Sequence, residues 1–270
     1  MTAAVRVAQR IYGIALNTFR EAVRNRVLFV LVMFAVGLMA FSLALGEMSL
    51  REDVRILKDL GLAAMSGFGL VIALFLGVNL LSKELDRKTV YAILPKPIAR
   101  WEFLLGKHIG LVCTMVVLVS LMSAVLAAMV TAKGGHHGEL MLRAEVLIAA
   151  ELLLVVGVAM VFSSFSSPYL SAMFTGALWV IGRSTAELEA FVANKLDDPV
   201  VGSILRACVE ATPDFRMFYV SGANLAGELV SVHDSFVTWG YVGLACLYAL
   251  LYSAICLAIA CGLFARRDLV

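Results

Sequence analysis

Charge is scarce in this chain. Asp, Glu, Lys and Arg make up 16% of it, whereas 61% of the residues are hydrophobic and the mean hydropathy is +0.93. A soluble globular domain carries about a quarter charged residues, so an ordinary soluble domain is excluded. Net charge is only +2, too small to suggest a nucleic-acid partner. Cysteine is sparse: there are five, with no Cys-x-x-Cys pair. Four sit in apolar runs, where cysteine behaves as a small hydrophobe, and only Cys208 lies in a polar region. No internal disulfide framework is expected. A nucleotide-binding Walker A sequence is missing too. The single Gly-Lys, Gly106-Lys107, is followed by His108 and lacks the upstream glycine. The first 26 residues hold Arg6, Arg10, Arg20, Arg24 and Arg26 without a continuous apolar run, which is not the pattern of a cleavable signal peptide.

What the chain has in abundance is uncharged sequence. Runs of about 20 residues are long enough to cross a hydrocarbon core of about 30 Å. Six crossings are expected, at Val27–Leu45, Leu60–Ser82, Ile109–Ala132, Val146–Ser163, Tyr169–Gly182 and Phe236–Ala265. The fourth and fifth come from one run, Leu152–Gly182, too long for one untilted crossing. Ser163-Ser164-Phe165-Ser166-Ser167-Pro168 supplies a turn within it. The chain therefore reads as a single all-α transmembrane domain over residues 1–270. Basic residues orient it. The amino-terminal stretch, the segment 83–108 and the carboxyl end with Arg266 and Arg267 are basic and expected inside. The connection 46–59 and the segment 183–235 carry more acids than bases and are expected outside.

Three stretches outside the crossings carry pattern. Residues 5–26 form an amphipathic stripe, with Arg6, Arg10, Asn17, Arg20 and Arg24 on one face and Ala8, Ile11, Tyr12, Ala15, Phe19 and Ala22 on the other. That suits a helix in the cytoplasmic interface, with Arg6, Arg10, Arg20 and Arg24 toward anionic headgroups. The basic loop 83–108 contains Lys83-Glu84-Leu85-Asp86-Arg87-Lys88, Pro95-Lys96-Pro97 and then Arg100-Trp101-Glu102-Phe103-Leu104-Leu105-Gly106-Lys107. The last piece is expected as a short helix whose Trp101, Phe103 and Leu104 fit a partner's groove while Arg100, Glu102 and Lys107 set register. On the outer face, Ser184-Thr185-Ala186-Glu187 has the form of a capping box, opening a helix to about Leu196. Asp198-Pro199 opens a second, to about Cys208.

Inside the crossings Glu151 is the one acid well within a predicted span, about two turns from its outer end, and is a candidate for lining a translocation path. Gly134-Gly135-His136-His137-Gly138-Glu139 invites a metal reading, but the glycines favour a flexible loop and no second ligand cluster follows. No metal site is expected. Small residues recur at four-residue spacing in Gly69, Ala73 and Gly77, in Ala245, Ala249 and Ser253, and in Ala254, Ala258 and Gly262. Such stripes let helices approach closely.

These features, in this order, resemble the permease subunit of an ABC-2 type ATP-binding-cassette transporter. The resemblance rests on the arginine-rich helix ending Asn17-Thr18-Phe19-Arg20-Glu21-Ala22-Val23-Arg24-Asn25-Arg26, on the loop from Ser82 to Lys107, and on Thr212-Pro213-Asp214-Phe215 before the last crossing. It implies six spans, a coupling helix at Arg100–Lys107 between spans two and three, and short outer helices between spans five and six. It also implies a separate cytoplasmic ATPase subunit carrying ATP and Mg, a second permease subunit, identical or not, and a place in a bacterial inner membrane with both termini cytoplasmic. No cofactor is expected in this chain. The function implied is ATP-driven transport, most simply export. Two rivals belong to other classes. One is a membrane scaffold that transmits ATPase-driven motion without moving a solute. The other is an intramembrane enzyme, which would need a catalytic pair at matching depth.

Overall fold

The computed structural model describes residues 3–47, 53–86, 99–185, 212–219, 222–223, 229–230 and 237–266. Seven α-helices carry the fold: α1 (Ala3–Val23), α2 (Arg26–Glu47), α3 (Asp53–Asp86), α4 (Arg100–Ala132), α5 (Glu139–Phe165), α6 (Pro168–Arg183) and α7 (Trp239–Arg266). A short 3-10 turn, Phe215–Phe218, and a two-residue antiparallel pairing of Gly222–Ala223 with Leu229–Val230 complete the described elements. The two outer-face helices expected from Ser184 to Cys208 fall almost wholly outside the described residues, as does the Pro95-Lys96-Pro97 stretch.

Five of the helices, α2 to α5 and α7, are long and apolar enough to cross a membrane. The fifth expected crossing, α6, has 16 residues, about 24 Å at 1.5 Å per residue, and does not meet that length. Several helices overrun the apolar runs. The acidic and basic residues Asp53, Arg55, Lys58 and Asp59 form the first turns of α3 and are not part of a loop. Glu139-Leu140-Met141-Leu142-Arg143 opens α5 well before Val146. A hydropathy window stops at a charge, but Glu, Lys and Arg are good helix formers and the backbone continues through them.

Punctuation between helices follows local chemistry. Lys133 and Gly134 end α4, and Gly134 takes φ +74°, a conformation that glycine adopts without a Cβ penalty. The break between α5 and α6 falls at Ser166-Ser167, both extended, with Pro168 opening the next helix. Proline at a helix start forfeits only an N–H that has no partner there anyway. This is the turn expected from the serines and proline.

The core is organised around α5, which is the most enclosed of the spans; α2 and α7 are the least. Small residues make the enclosure close. A Cβ on Gly77 would meet Ala159 Cβ at 2.7 Å, and one on Gly157 would meet Ser253 Oγ at 2.9 Å. Ala73, Ala245, Ala249 and Ser253 are buried. Two of the three small-residue stripes thus serve packing within the chain. The third does not: Ala254, Ala258 and Gly262 are exposed, and nothing lies within 4 Å of a Cβ built on Gly262.

Candidate functional site

The helices alternate in direction, so the starts of α2, α4 and α6 share one end of the bundle with the ends of α3, α5 and α7. We call this the Arg100 end and the opposite one the Arg183 end.

At the Arg100 end the expected short helix does not stand apart. Arg100–Lys107 forms the first two turns of the 33-residue α4, because no breaker separates it from the apolar run that follows. Its side chains divide sharply. Arg100 is exposed and Trp101 is 48% exposed, whereas Glu102, Phe103, Leu104, Gly106 and Lys107 are buried and Leu105 is partly so. Phe103 and Leu104, expected to fit a partner's groove, are buried against this chain. Phe103 stacks on Phe264 near the end of α7, with ring centroids 6.4 Å apart. Lys107 Nζ lies 5.4 Å from the Phe103 ring centroid, close enough for a cation–π attraction.

Two charged contacts fasten this end. Arg10 of α1 donates from Nη2 to Glu102 Oε1 at 3.1 Å, and its Nε lies 3.1 Å from Oε2, close as an ion contact but not aligned as a hydrogen bond. Arg100 Nη1 donates to the carbonyl of Phe264 at 2.9 Å. That carbonyl belongs to the last turn of α7, where backbone acceptors lack intrahelical donors and a cation is favoured. Glu102 therefore binds α1, and Arg100, though exposed, binds the end of α7.

Glycines bring α1 down onto α4. A Cβ on Gly106 would sit 2.8 Å from Ile14 Cβ and 3.0 Å from the Ile11 carbonyl; one on Gly110 would sit 2.8 Å from Thr18 Cβ. Gly106-Lys107-His108-Ile109-Gly110 is a Gly-x-x-x-Gly pattern, legible in the sequence but not singled out there. Ala15 and Thr18 consequently line the α4 contact and Ala22 is buried, while Tyr12 is 68% exposed. Of the arginines expected at the membrane surface, Arg6, Arg20 and Arg24 are exposed. Arg10 is turned inward to Glu102. Immediately after the Arg100–Lys107 segment, His108 Nε2 lies 2.9 Å from Ser253 Oγ of α7. Sequence reasoning set His108 outside the crossings because the apolar run starts at Ile109.

Level with Arg183, where the shorter α6 stops, lies Glu151, 1% exposed and close to the midpoint of α5. α5 starts seven residues before the expected crossing at Val146, so Glu151 lies twelve residues past the start of its helix. Its Oε1 accepts from Arg183 Nη1 at 2.9 Å and from Trp179 Nε1 at 2.8 Å, and its Oε2 from Ser66 Oγ at 3.5 Å. The Arg183 guanidinium carbon is 5.1 Å from the Trp179 ring centroid and 4.7 Å from that of Tyr219. Neither Arg183 nor Trp179 was foreseen. The available signal was an arginine ending an apolar run four residues after a tryptophan, i,i+4 on one helical face.

The stretch Thr212–Tyr219 closes over the end of α6. Tyr219 donates its hydroxyl to the Arg183 carbonyl at 2.6 Å. A Cβ on Gly182 would meet Phe215 Cδ2 at 2.7 Å and also strike the Pro213 carbonyl. Asp214 pairs with Arg216 at 2.8 Å, and its N–H donates to Tyr248 Oη at 3.0 Å. Tyr241 donates to the Met217 carbonyl at 3.0 Å. The Thr212-Pro213-Asp214-Phe215 motif thus joins α5, α6 and α7.

A third buried acid, Glu145, is 5% exposed and accepts from Ser123 Oγ at 2.6 Å while its Oε1 lies 3.0 Å from His137 Nε2. His137 is therefore held to α5. It was missed because Glu145 stands one residue before the predicted crossing. Arg143 Nη1 donates to the Val237 carbonyl at 3.2 Å.

The geometry thus offers two interlocked ends joined by α4 and α5, a mechanical arrangement. A family model described as ABC-2 family transporter protein matches residues 12–269. No curated protein is significantly similar. The match covers nearly the whole chain and agrees with the resemblance drawn from the arginine-rich helix, the coupling segment and the Thr212–Phe215 motif: the chain belongs to the ABC-2 family of transporter proteins, multi-pass membrane components of ABC transporters.

Proposed function

We propose that this chain is the permease subunit of an ATP-driven exporter and that a separate cytoplasmic ATPase, carrying ATP and Mg, docks at the Arg100 end. The observation that carries this reading is the continuity of α4. Trp101 stands exposed at the tip of a helix whose first turns are fastened to α1 by Arg10–Glu102 and to α7 by Arg100. A push on Trp101 moves α4 as a rod and takes α1 and the end of α7 with it. The docking surface is Trp101 and Arg100, with Leu105 at its edge. Phe103, Leu104, Glu102, Gly106 and Lys107 act behind it as the fastening.

In this reading α6 is a short sixth crossing, both termini are cytoplasmic in a bacterial inner membrane, and two permease subunits, identical or not, pair around the path. Glu151 and Arg183 close that path toward the outer side. Arg6, Arg20 and Arg24 meet the cytoplasmic headgroups.

The test is purification of the tagged chain from its host in gentle detergent, with identification and ATPase assay of co-eluting proteins, for wild type and Trp101→Ala. An ATPase present with wild type and lost with the variant supports the docking surface. No ATPase in either preparation of folded protein refutes the permease reading. Solute accumulation in vesicles, abolished by a Walker mutation in the recovered ATPase, separates export from a force-transmitting scaffold. Unchanged transport in Glu151→Gln at normal expression removes Glu151 from the path.

A further inference from the structure

The least enclosed face of α2 is not flat. Phe29, Val30, Met33, Phe34, Gly37, Leu38 and Phe41, with Phe68 of α3, line an apolar groove of about 580 Å³ open to the outside of the bundle. Phe29, Met33, Phe34 and Phe41 are each more than half exposed. Gly37 makes the floor: nothing lies within 4 Å of a Cβ built there.

One end of the groove is charged. Arg26 stands four residues before Val30, so it continues the same helical face toward the Arg100 end. It is exposed, and so are Arg20 and Arg24 in the last turns of α1 and just beyond. From Phe29 to Phe41 the groove runs about 18 Å at 1.5 Å per residue. That is close to one leaflet, half of a hydrocarbon core of about 30 Å. Three exposed cations at the interface and an apolar trough one leaflet deep match a molecule with an anionic head and a hydrocarbon tail.

We infer that this groove is a binding site for one anionic phospholipid, its acyl chain lying against Gly37 between the phenylalanines and its phosphate at Arg26 and Arg24. The site is distinct from general contact with bilayer lipid, because it is concave and has the exposed Arg26 in helical register at one mouth with Arg24 two residues before it. It does not depend on the transport reading.

The test uses the full chain in mild detergent, mixed with equal parts of phosphatidylglycerol and phosphatidylcholine of matched acyl chains. Retained lipid is counted by native mass spectrometry. Wild type is expected to keep one lipid per chain, with phosphatidylglycerol favoured by about fivefold for each arginine engaged. Arg24→Gln with Arg26→Gln is expected to keep a lipid but lose the preference. Gly37→Leu is expected to lose retained lipid of both kinds while its thermal midpoint stays at the wild-type value, since the new side chain enters open space. Equal retention of the two lipids by wild type overturns the inference. So does a folded Gly37→Leu chain that still holds its lipid. A dimer that Gly37→Leu dissolves assigns the face to a second copy and overturns it as well.

Discussion

Glu151 and Arg183 make a strong test of the bundle's energetics, because the two partners differ in exposure. Side-chain exposure is 2% for Glu151 and 25% for Arg183. Removing one member of a buried pair leaves an uncompensated charge and costs about 3–5 kcal/mol. Arg183→Met leaves the carboxylate of Glu151 enclosed, with only Trp179 and Ser66 to donate, so a cost of about 3–5 kcal/mol is expected. Glu151→Gln leaves the guanidinium in a partly solvated place against Trp179 and Tyr219, and a carboxamide oxygen can still accept from Trp179. Solvent screening and those contacts reduce its cost to about 1–3 kcal/mol. The double variant has no buried charge, so its loss is expected to fall short of the summed single losses by about 2 kcal/mol or more. Reversible unfolding by SDS titration in mixed micelles, followed by circular dichroism, measures all three. Additive losses, or an Arg183→Met chain as stable as wild type, would refute the argument that this ion pair carries the electrostatic balance of the core.

Other predictions follow from exposure and clearance. Trp101→Ala is expected to leave the unfolding midpoint unchanged, whereas Phe103→Ala loses about 3 kcal/mol because its ring is packed against Phe264; equal effects in the same titration would contradict the division of that helix face. Gly157→Ala forces a Cβ against Ser253 and should cost about 1–3 kcal/mol, while Gly262→Ala enters open space and should be neutral or gain up to about 1 kcal/mol from helix propensity. Gly110→Val drives α1 off α4, so limited proteolysis should cleave α1 faster than in wild type while the remaining helices stay protected. Unchanged cleavage would show that α1 is held by other contacts.

Much of the helical frame was legible in the sequence, because long uncharged runs mark spans whatever their partners. The turn at Ser166–Pro168 was legible for a local reason, the chemistry of serine and proline. Helix ends were not, since charged residues such as Asp53, Lys58 and Glu139 halt a hydropathy window without halting a helix. The segment Arg100–Lys107 was singled out from the sequence, but which of its side chains this chain covers was not legible there. Periodicity shows that Trp101, Phe103 and Leu104 are large and apolar beside charges. It cannot say that Phe264, some 160 residues away, will cover Phe103 and leave Trp101 outside. Arg10 fell on the polar stripe of α1, and only its tertiary neighbour Glu102 reveals that this part of the stripe faces protein. Glu151 was flagged from its depth alone, while its partners come from helices whose mutual rotation depends on packing at Gly69, Gly77 and Gly157.

The contact from Arg100 to the Phe264 carbonyl has a consequence for biogenesis. Chains are made from the amino terminus and segments fold in order of emergence. During synthesis α1 appears first, yet its seat on Gly106 and Gly110 exists only after α4 has been made. Arg100 in turn waits for the final helix to arrive before its acceptor exists. A nascent or truncated chain stopping short of α7 therefore presents α4 with Phe103 lacking its Phe264 cover and with Arg10–Glu102 but not Arg100 holding its first turn. Arrival of α7 is the event that seals that surface, so the Arg100 end reports whether α7 has been inserted.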